Sequence, residues 1–247
     1  METLLKELAK KINIDLSEEM IEKFFLYKKL LLEWNEKINL TAITEETEIL
    51  IKHFIDSLTI EKYISVGAKI IDVGTGAGFP GIPLKIVRPD IEVTLLDSLN
   101  KRINFLNEII KECKLENITA IHGRAEEIAN NPKYREKFDF STARAVANIA
   151  TLSELCTPFL KVGGYFICMK ADATEEMKTA IGEEFTVFIS SMKTPIPKHL
   201  ASVPELFRYH EATKYFVMSI VREAYDKGLH LKDVDFCCPP VVLVYEE

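Results

Sequence analysis

The sequence predicts an α/β fold: a mostly parallel sheet covered by helices on both faces and preceded by a helical region. Three observations predict it. Short apolar runs rich in β-branched residues alternate with helical periodicities from residue 69 to residue 169. A dense glycine cluster, Asp72-Val-Gly-Thr-Gly-Ala-Gly-Phe-Pro-Gly81, follows the first of those runs. The residues before about 64 show three- and four-residue apolar spacing and no strand-like run.

Composition sets the outer limits. The chain has 247 residues, 47% hydrophobic and 28% charged, enough for one large α/β domain with an appendage and for a core that needs no disulfide or metal. No apolar run reaches the roughly 18 residues of a membrane span. Met1-Glu-Thr-Leu-Leu-Lys6 lacks the apolar stretch of a signal peptide, so a soluble cytoplasmic protein is expected. Cys113, Cys156, Cys168, Cys237 and Cys238 form no CxxC pair, and no metal site is expected. A net charge of −7 argues against broad nucleic-acid binding while leaving room for a local basic patch.

The elements follow in order. Ser17 is a helix N-cap, with Glu18 and Glu19 in the favourable first turn. Ile21, Phe24, Phe25, Tyr27, Leu30, Leu31 and Trp34 make its core-facing stripe, and Asn35 to Thr41 end it. A second helix runs from about Glu45 to Lys62. Lys69 to Val73 is a buried strand, Gly81 to Val87 a helix stopped by Pro89, and Glu92 to Leu96 a strand. A helix over Lys101 to Lys111 leads to strands over Asn117 to Ile121 and Phe138 to Thr142. A helix from Ile149 to Leu160 and the turn Gly163-Gly164 lead to the strand Tyr165 to Met169. Phe185 to Ile189 and Val241 to Tyr245 read as strands, and Lys214 to Ala224 fits either period. The expected divisions are a helical region (1–64), a ligand-binding domain (65–220) and a C-terminal extension (221–247).

A glycine-rich turn between a strand and a helix lets backbone approach a ligand at the helix N-terminus. Gly76-Ala-Gly78-Phe-Pro-Gly81 formally satisfies GxGxxG, which suits a dinucleotide and an NAD-linked oxidoreductase equally well. Asp72 at the strand end changes the balance. A carboxylate there is awkward beside a pyrophosphate but can meet the ammonium of S-adenosyl-L-methionine. The run Asp-Val-Gly-Thr-Gly-Ala-Gly looks like the first motif of class I methyltransferases, whose fold is Rossmann-like. Asp97 follows about 20 residues on, where an acid accepts from ribose hydroxyls; it, or Ser98, also fits a helix N-cap. Backbone groups near Ala125 are candidates for the adenine edge, and a plain helix start fits as well.

Six segments in register resemble a narrower family, the bacterial glucose-inhibited division protein B family of small-subunit ribosomal RNA guanine-N7 methyltransferases. They are Glu33 to Thr44, His53 to Leu58, Asp72 to Pro83, Leu96 to Arg102, Gly123 to Glu126 and Thr142 to Ala147. The resemblance covers roughly the first 170 residues. It implies S-adenosyl-L-methionine as cofactor, with contacts at Gly74, Phe79, Ala125, Glu126 and Arg144 beside the loop glycines Gly76 and Gly78. It implies small-subunit rRNA or the assembled 30S particle as partner. The C-terminus departs from the family's usual Lys-, Arg- and Pro-rich tail: Glu223, Asp226, Asp233, Asp235, Glu246 and Glu247 outnumber Arg222, Lys227 and Lys232. A small molecule or a protein is therefore the alternative acceptor. No membrane partner is expected, and a monomer is.

Guanine N7 offers a free lone pair, so no dedicated general base is expected; alignment and exclusion of water supply most of the rate. Arg144, after the fourth strand, can hold guanine O6, a phosphate or the cofactor carboxylate, or form a surface ion pair. His53, Asp56 and Ser57 share a helical turn that can close over the site or be an ordinary helix face. Asn39 can read a base edge or cap a helix. Lys101, Arg102 and Arg124 are candidate phosphate contacts or simply solvated.

Overall fold

A computed structural model describes residues 1–144, 149–169, 215–220 and 240–246; for 149–150, 215–220 and 240–246 it describes backbone alone. The expected strand over 185–189, the basic and acidic residues of 222–235 and the Cys237-Cys238 pair lie outside these residues.

Helix α1 (Glu2–Lys11) buries Leu5, Leu8 and Ala9. Ser17 accepts from the Met20 N–H at 3.2 Å and opens α2 (Glu18–Ile38), whose buried stripe includes Ile21, Phe24, Tyr27, Leu30 and Leu31. Asn39 ends α2 in the left-handed conformation (φ 50°) that Asn tolerates.

The helix expected over Glu45 to Lys62 is shorter and not regular. It runs as α3 (Glu46–Glu48), a π-helical stretch (Ile49–Ile55) and α4 (Asp56–Leu58). Thr59 stops it, because both its N–H and its hydroxyl return to the Asp56 carbonyl. A separate 3-10 turn covers Glu61–Tyr63.

The sheet alternates as expected: β1 (Lys69–Val73), α5 (Gly81–Val87), β2 (Glu92–Asp97), α6 (Asn100–Glu112), β3 (Ile118–His122), α7 (Ala125–Ile128), β4 (Phe138–Arg144), α8 (Ile149–Cys156), β5 (Leu160–Met169). Two boundaries differ by more than two residues. The helix expected to reach Leu160 gives way to a 3-10 turn at Thr157–Phe159, where Pro158 lacks the N–H that an α-helix needs. Strand β5 begins at Leu160 and absorbs Lys161 to Gly164 as an irregularity in its pairing with β4.

Strands β6 (Tyr215–Ile220) and β7 (Pro240–Glu246) complete the order β3-β2-β1-β4-β5-β7-β6. Strands β1 to β5 pair in parallel, and β7 pairs antiparallel with both β5 and β6. Residues 215–220 of the stretch that fits both periods are thus a strand, and residues 240–246 form a strand that lies between two others.

Alternation along the strands divides the core. Ile70 and Ile167 face one cluster, which reaches from Leu5 through Phe54 to Met169 and so joins the helical region to the sheet. Ile71 and Phe166 face a second, with Leu152, Cys156 and Phe159. The chain order reverses between β1 and β4, and at such a switch point the carboxyl ends of the strands open a crevice.

Candidate functional site

The glycine loop is built on Asp72. This side chain is fully buried. Its Oδ2 accepts from the Thr75 hydroxyl (2.6 Å) and the Gly81 N–H (2.9 Å), and its Oδ1 from the Thr142 hydroxyl (3.2 Å). One carboxylate therefore ties together β1, the loop, α5 and β4. Burial outweighs these bonds and pushes its pKa up to about 6. Three protein hydrogen bonds and complete burial make Asp72 the internal brace of the loop.

The front of the loop is different. Gly76 has φ +60°, and a Cβ built there meets only the Gly74 carbonyl, at 4.0 Å. Gly78 has φ +99°, and its Cβ would lie 2.5 Å from Ile82 Cδ1 and 3.0 Å from the Tyr27 oxygen. Gly78 is thus required by packing, whereas Gly76 faces open space. The Tyr27 hydroxyl donates to the Ala77 carbonyl, so α2 grips the loop. Burial raises the Tyr27 pKa and keeps it a donor.

Asp97 closes the second side. It is 2% exposed and accepts from the Gly76 N–H (2.9 Å), the Leu99 N–H (2.9 Å) and Arg102 Nη1 (3.2 Å). The N-cap of α6 is Leu99, not Asp97 or Ser98, because Asp97 is drawn to the loop. A carboxylate has about four acceptor positions, and three are taken here. The Gly123 N–H donates to the Asp97 carbonyl (3.1 Å), which brings the start of α7 beside β2. Ala125 opens α7; Glu126 is exposed and lies 3.6 Å from Arg124. Arg102 and Arg124 are therefore both engaged by carboxylates, and Lys101 is exposed.

At the end of β4, four of the expected residues meet. Arg144 Nη1 donates to Asp56 Oδ2 (3.0 Å) and to the Lys52 carbonyl (3.1 Å). Its Nη2 lies 3.0 Å from His53 Nδ1. The guanidinium carbon sits 4.8 Å above the centroid of Phe79, and the His53 ring stacks on the same phenyl at 4.4 Å and 19°. His53 is 7% exposed, Asp56 2%. Burial first, then the Arg144 charge, lowers the His53 pKa to about 3, so the ring is neutral at neutral pH. Burial raises the Asp56 pKa against the pull of Arg144, and Asp56 Oδ1 is buried with no hydrogen-bond partner.

Two expected residues stand apart from this cluster. Ser57 is fully buried and donates to the His53 carbonyl (2.6 Å), an ordinary bond back along its own helix. Asn39 is exposed at the C-cap of α2. Sequence reasoning missed Tyr27, Thr41 and Lys52. A hydroxyl in the apolar stripe of α2 was a signal for Tyr27; for the Lys52 carbonyl there was none, since it depends on the π-helical stretch.

With this geometry in place, comparison with known proteins is informative. Residues 20–199 match the family model described as rRNA small subunit methyltransferase G. Ribosomal RNA small subunit methyltransferase G of Clostridium novyi (strain NT) is 53% identical over 175 residues, 70% of this chain and 72% of its own. The chain belongs to this family. The enzyme of the same description from Alkaliphilus oremlandii (strain OhILAs) is 51% identical over 193 residues, covering 74% and 81%. Among solved structures, the O-methyltransferase from Bacillus cereus in complex with SAH is 14% identical, covers 98% of this chain and 96% of its own, and has a TM-score of 0.50. That likeness concerns the fold, which is the Rossmann-like α/β fold expected. Family membership makes the chain a methyltransferase. The family match stops at residue 199, short of the C-terminal stretch that departs from the pattern. Among the described residues, no helix is long and apolar enough to cross a membrane and no group of three His, Cys, Asp or Glu suits a metal ion.

Proposed function

We propose that this chain transfers a methyl group from S-adenosyl-L-methionine to N7 of a guanine in small-subunit (16S) ribosomal RNA, acting in the cytoplasm as a monomer. The observation that carries the reading is the corner formed by Arg144, His53 and Asp56 on Phe79, a residue of the glycine loop, in a chain of this family.

The residues present fit the cofactor. Gly76 leaves room for it, and Asp97 keeps one acceptor position for a ribose hydroxyl. Gly74, Phe79 and the α7 start at Ala125 and Glu126 complete its binding residues, with Asp72 holding the loop in shape. When bound, S-adenosyl-L-methionine supplies an electrophilic methyl group on a sulfonium.

The chain's own part is to bind, orient and exclude water. Both His53 nitrogens are engaged, by Arg144 and by Thr41, and its low pKa removes it as a base. Asp56 gives one oxygen to Arg144, and the other is buried with no partner. An acceptor with a lone pair and no proton to lose, such as guanine N7, suits this corner. Arg144 faces the ligands as a fixed positive charge. Ser57 supports the helix that carries His53, and Asn39 fixes the turn after α2.

The test is methyl transfer from labelled S-adenosyl-L-methionine to small subunits from a strain lacking the gene, followed by mapping of N7-methylguanine. One labelled guanine, absent from the deletion strain, is the expected result. Label appearing only in metabolites or proteins would instead support the alternative acceptor, which the net charge of −7 favours. Running naked 16S rRNA beside assembled 30S particles identifies the physical substrate.

A further inference from the structure

The arginine at the end of β4 is not held by its immediate partners alone. His53 Nε2 lies 2.8 Å from the Thr41 hydroxyl oxygen. That oxygen also accepts from the Ile43 N–H at 3.0 Å, and the Thr41 N–H donates to Asn35 Oδ1 at 2.8 Å. A chain of hydrogen bonds thus runs from the last turn of α2, through the loop that follows it, to the guanidinium.

Proton positions along this chain are fixed by elementary chemistry. Arginine stays protonated and has no acceptor, so Arg144 Nη2 donates and His53 Nδ1 must accept. A neutral imidazole then carries its proton on Nε2, and Nε2–H donates to Thr41. The ring stays neutral because burial and Arg144 together hold its pKa near 3. The opposite tautomer would turn an N–H toward a guanidinium N–H.

We propose that Thr41 is a positioning residue for methyl transfer: its hydroxyl oxygen accepts the Nε2–H that Arg144 imposes on His53, and so holds the imidazole where it orients Arg144 over Phe79. This rests on the reading of Arg144 as the arginine that faces the ligands. Thr41 itself touches neither ligand. The Asn35 bond holds the Thr41 backbone, and the Ile43 bond aims its oxygen at the ring. The Phe79 ring packs against both the imidazole and the guanidinium. Loss of the hydroxyl leaves a buried Nε2–H without an acceptor, a defect that a switch of tautomer relieves at the expense of the Arg144 contact.

The test has two readouts. The first is the nitrogen-15 spectrum of the His53 imidazole in the full-length wild-type protein between pH 5.5 and 8, which reports the tautomer without any substitution. A pure, pH-independent Nε2–H tautomer is expected; an Nδ1–H ring or a titrating ring overturns the proposal. The second is single-turnover methylation of deletion-strain small subunits by Thr41→Val and Thr41→Ser. Thr41→Val is expected to lower the rate about 10-fold and to give a mixed tautomer, and Thr41→Ser to restore both. Equal impairment of the two variants, or a wild-type rate for Thr41→Val, overturns it. If wild-type enzyme modifies no small subunit, the proposed acceptor fails, while the tautomer measurement still judges the role of Thr41.

Discussion

Gly76 and Gly78 are two residues apart, and alanine at each should fail in a different way. At Gly76, φ of +60° lies in the left-handed region, where an L side chain costs about 1 kcal/mol. The added Cβ meets no atom nearer than the Gly74 carbonyl at 4.0 Å, so Gly76→Ala should lose only that ~1 kcal/mol of stability. At Gly78, φ of +99° is strained for alanine by about 1–3 kcal/mol. Its Cβ would also press to 2.5 Å and 2.9 Å from two carbons of Ile82, in a fully buried setting, which adds about 1–3 kcal/mol of overpacking. Gly78→Ala should therefore lose roughly 3 kcal/mol or more. The order inverts for ligand binding. The methyl group of Gly76→Ala stands on the open face, where the cofactor is proposed to lie, and should weaken S-adenosylhomocysteine binding at least ~10-fold, or about 1.4 kcal/mol. Urea unfolding and calorimetric titration of both variants measure the two quantities. Wild-type S-adenosylhomocysteine affinity in a folded Gly76→Ala protein would refute the reasoning, because it would show that the open side of the loop is not the ligand's side.

Further outcomes follow from the same contacts. The Asp72 pKa is about 6 in the folded protein and 3.8 in an unfolded chain, so the native state binds the extra proton between those values and stability falls as pH rises through this window. The full effect is about 3 kcal/mol; urea unfolding of wild type minus Asp72→Asn should decline from pH 4 to above pH 6, and parallel curves would contradict it. Arg144→Lys cannot bridge Asp56, the Lys52 carbonyl and His53 with one ammonium, and single-turnover methylation should drop about 100-fold; a drop under about 3-fold removes Arg144 from the mechanism. Tyr27→Phe leaves the Ala77 carbonyl without its buried donor and should lose about 1–3 kcal/mol in urea unfolding, with weaker S-adenosylhomocysteine binding as the loop loosens. Unchanged affinity would show that α2 does not shape the site.

Much of this arrangement is legible in the sequence because it rests on short-range rules. A β-branched run closed by glycine marks β1, short apolar runs mark β2 and β4, and Ser17 with its two glutamates marks the start of α2. Asp72, Asp97 and Arg144 stand at strand ends, where a parallel sheet gathers functional groups whatever its details. What stays hidden depends on distant partners. The segment 214–224 fits two periods, and its neighbour β7 alone makes residues 215–220 a strand. The helix after Glu45 carries unbroken apolar spacing, so nothing local announces the π-helical stretch that turns Lys52, His53 and Asp56 toward one guanidinium. Tyr27 reads as one more apolar residue of a stripe, because its acceptor is a backbone carbonyl 50 residues away.

That separation of 50 residues bears on how the chain comes into being. A polypeptide leaves the ribosome N-terminus first. When α2 emerges, the carbonyl that Tyr27 will hold has not been made, and neither has Phe105, which fills the same cluster. Arg144 appears later still, 88 residues after the aspartate it will pair with. The nascent helical region must therefore wait with its apolar face uncovered while the sheet is synthesised. Only when the last parallel strands have been made can the helical region and the sheet close on each other.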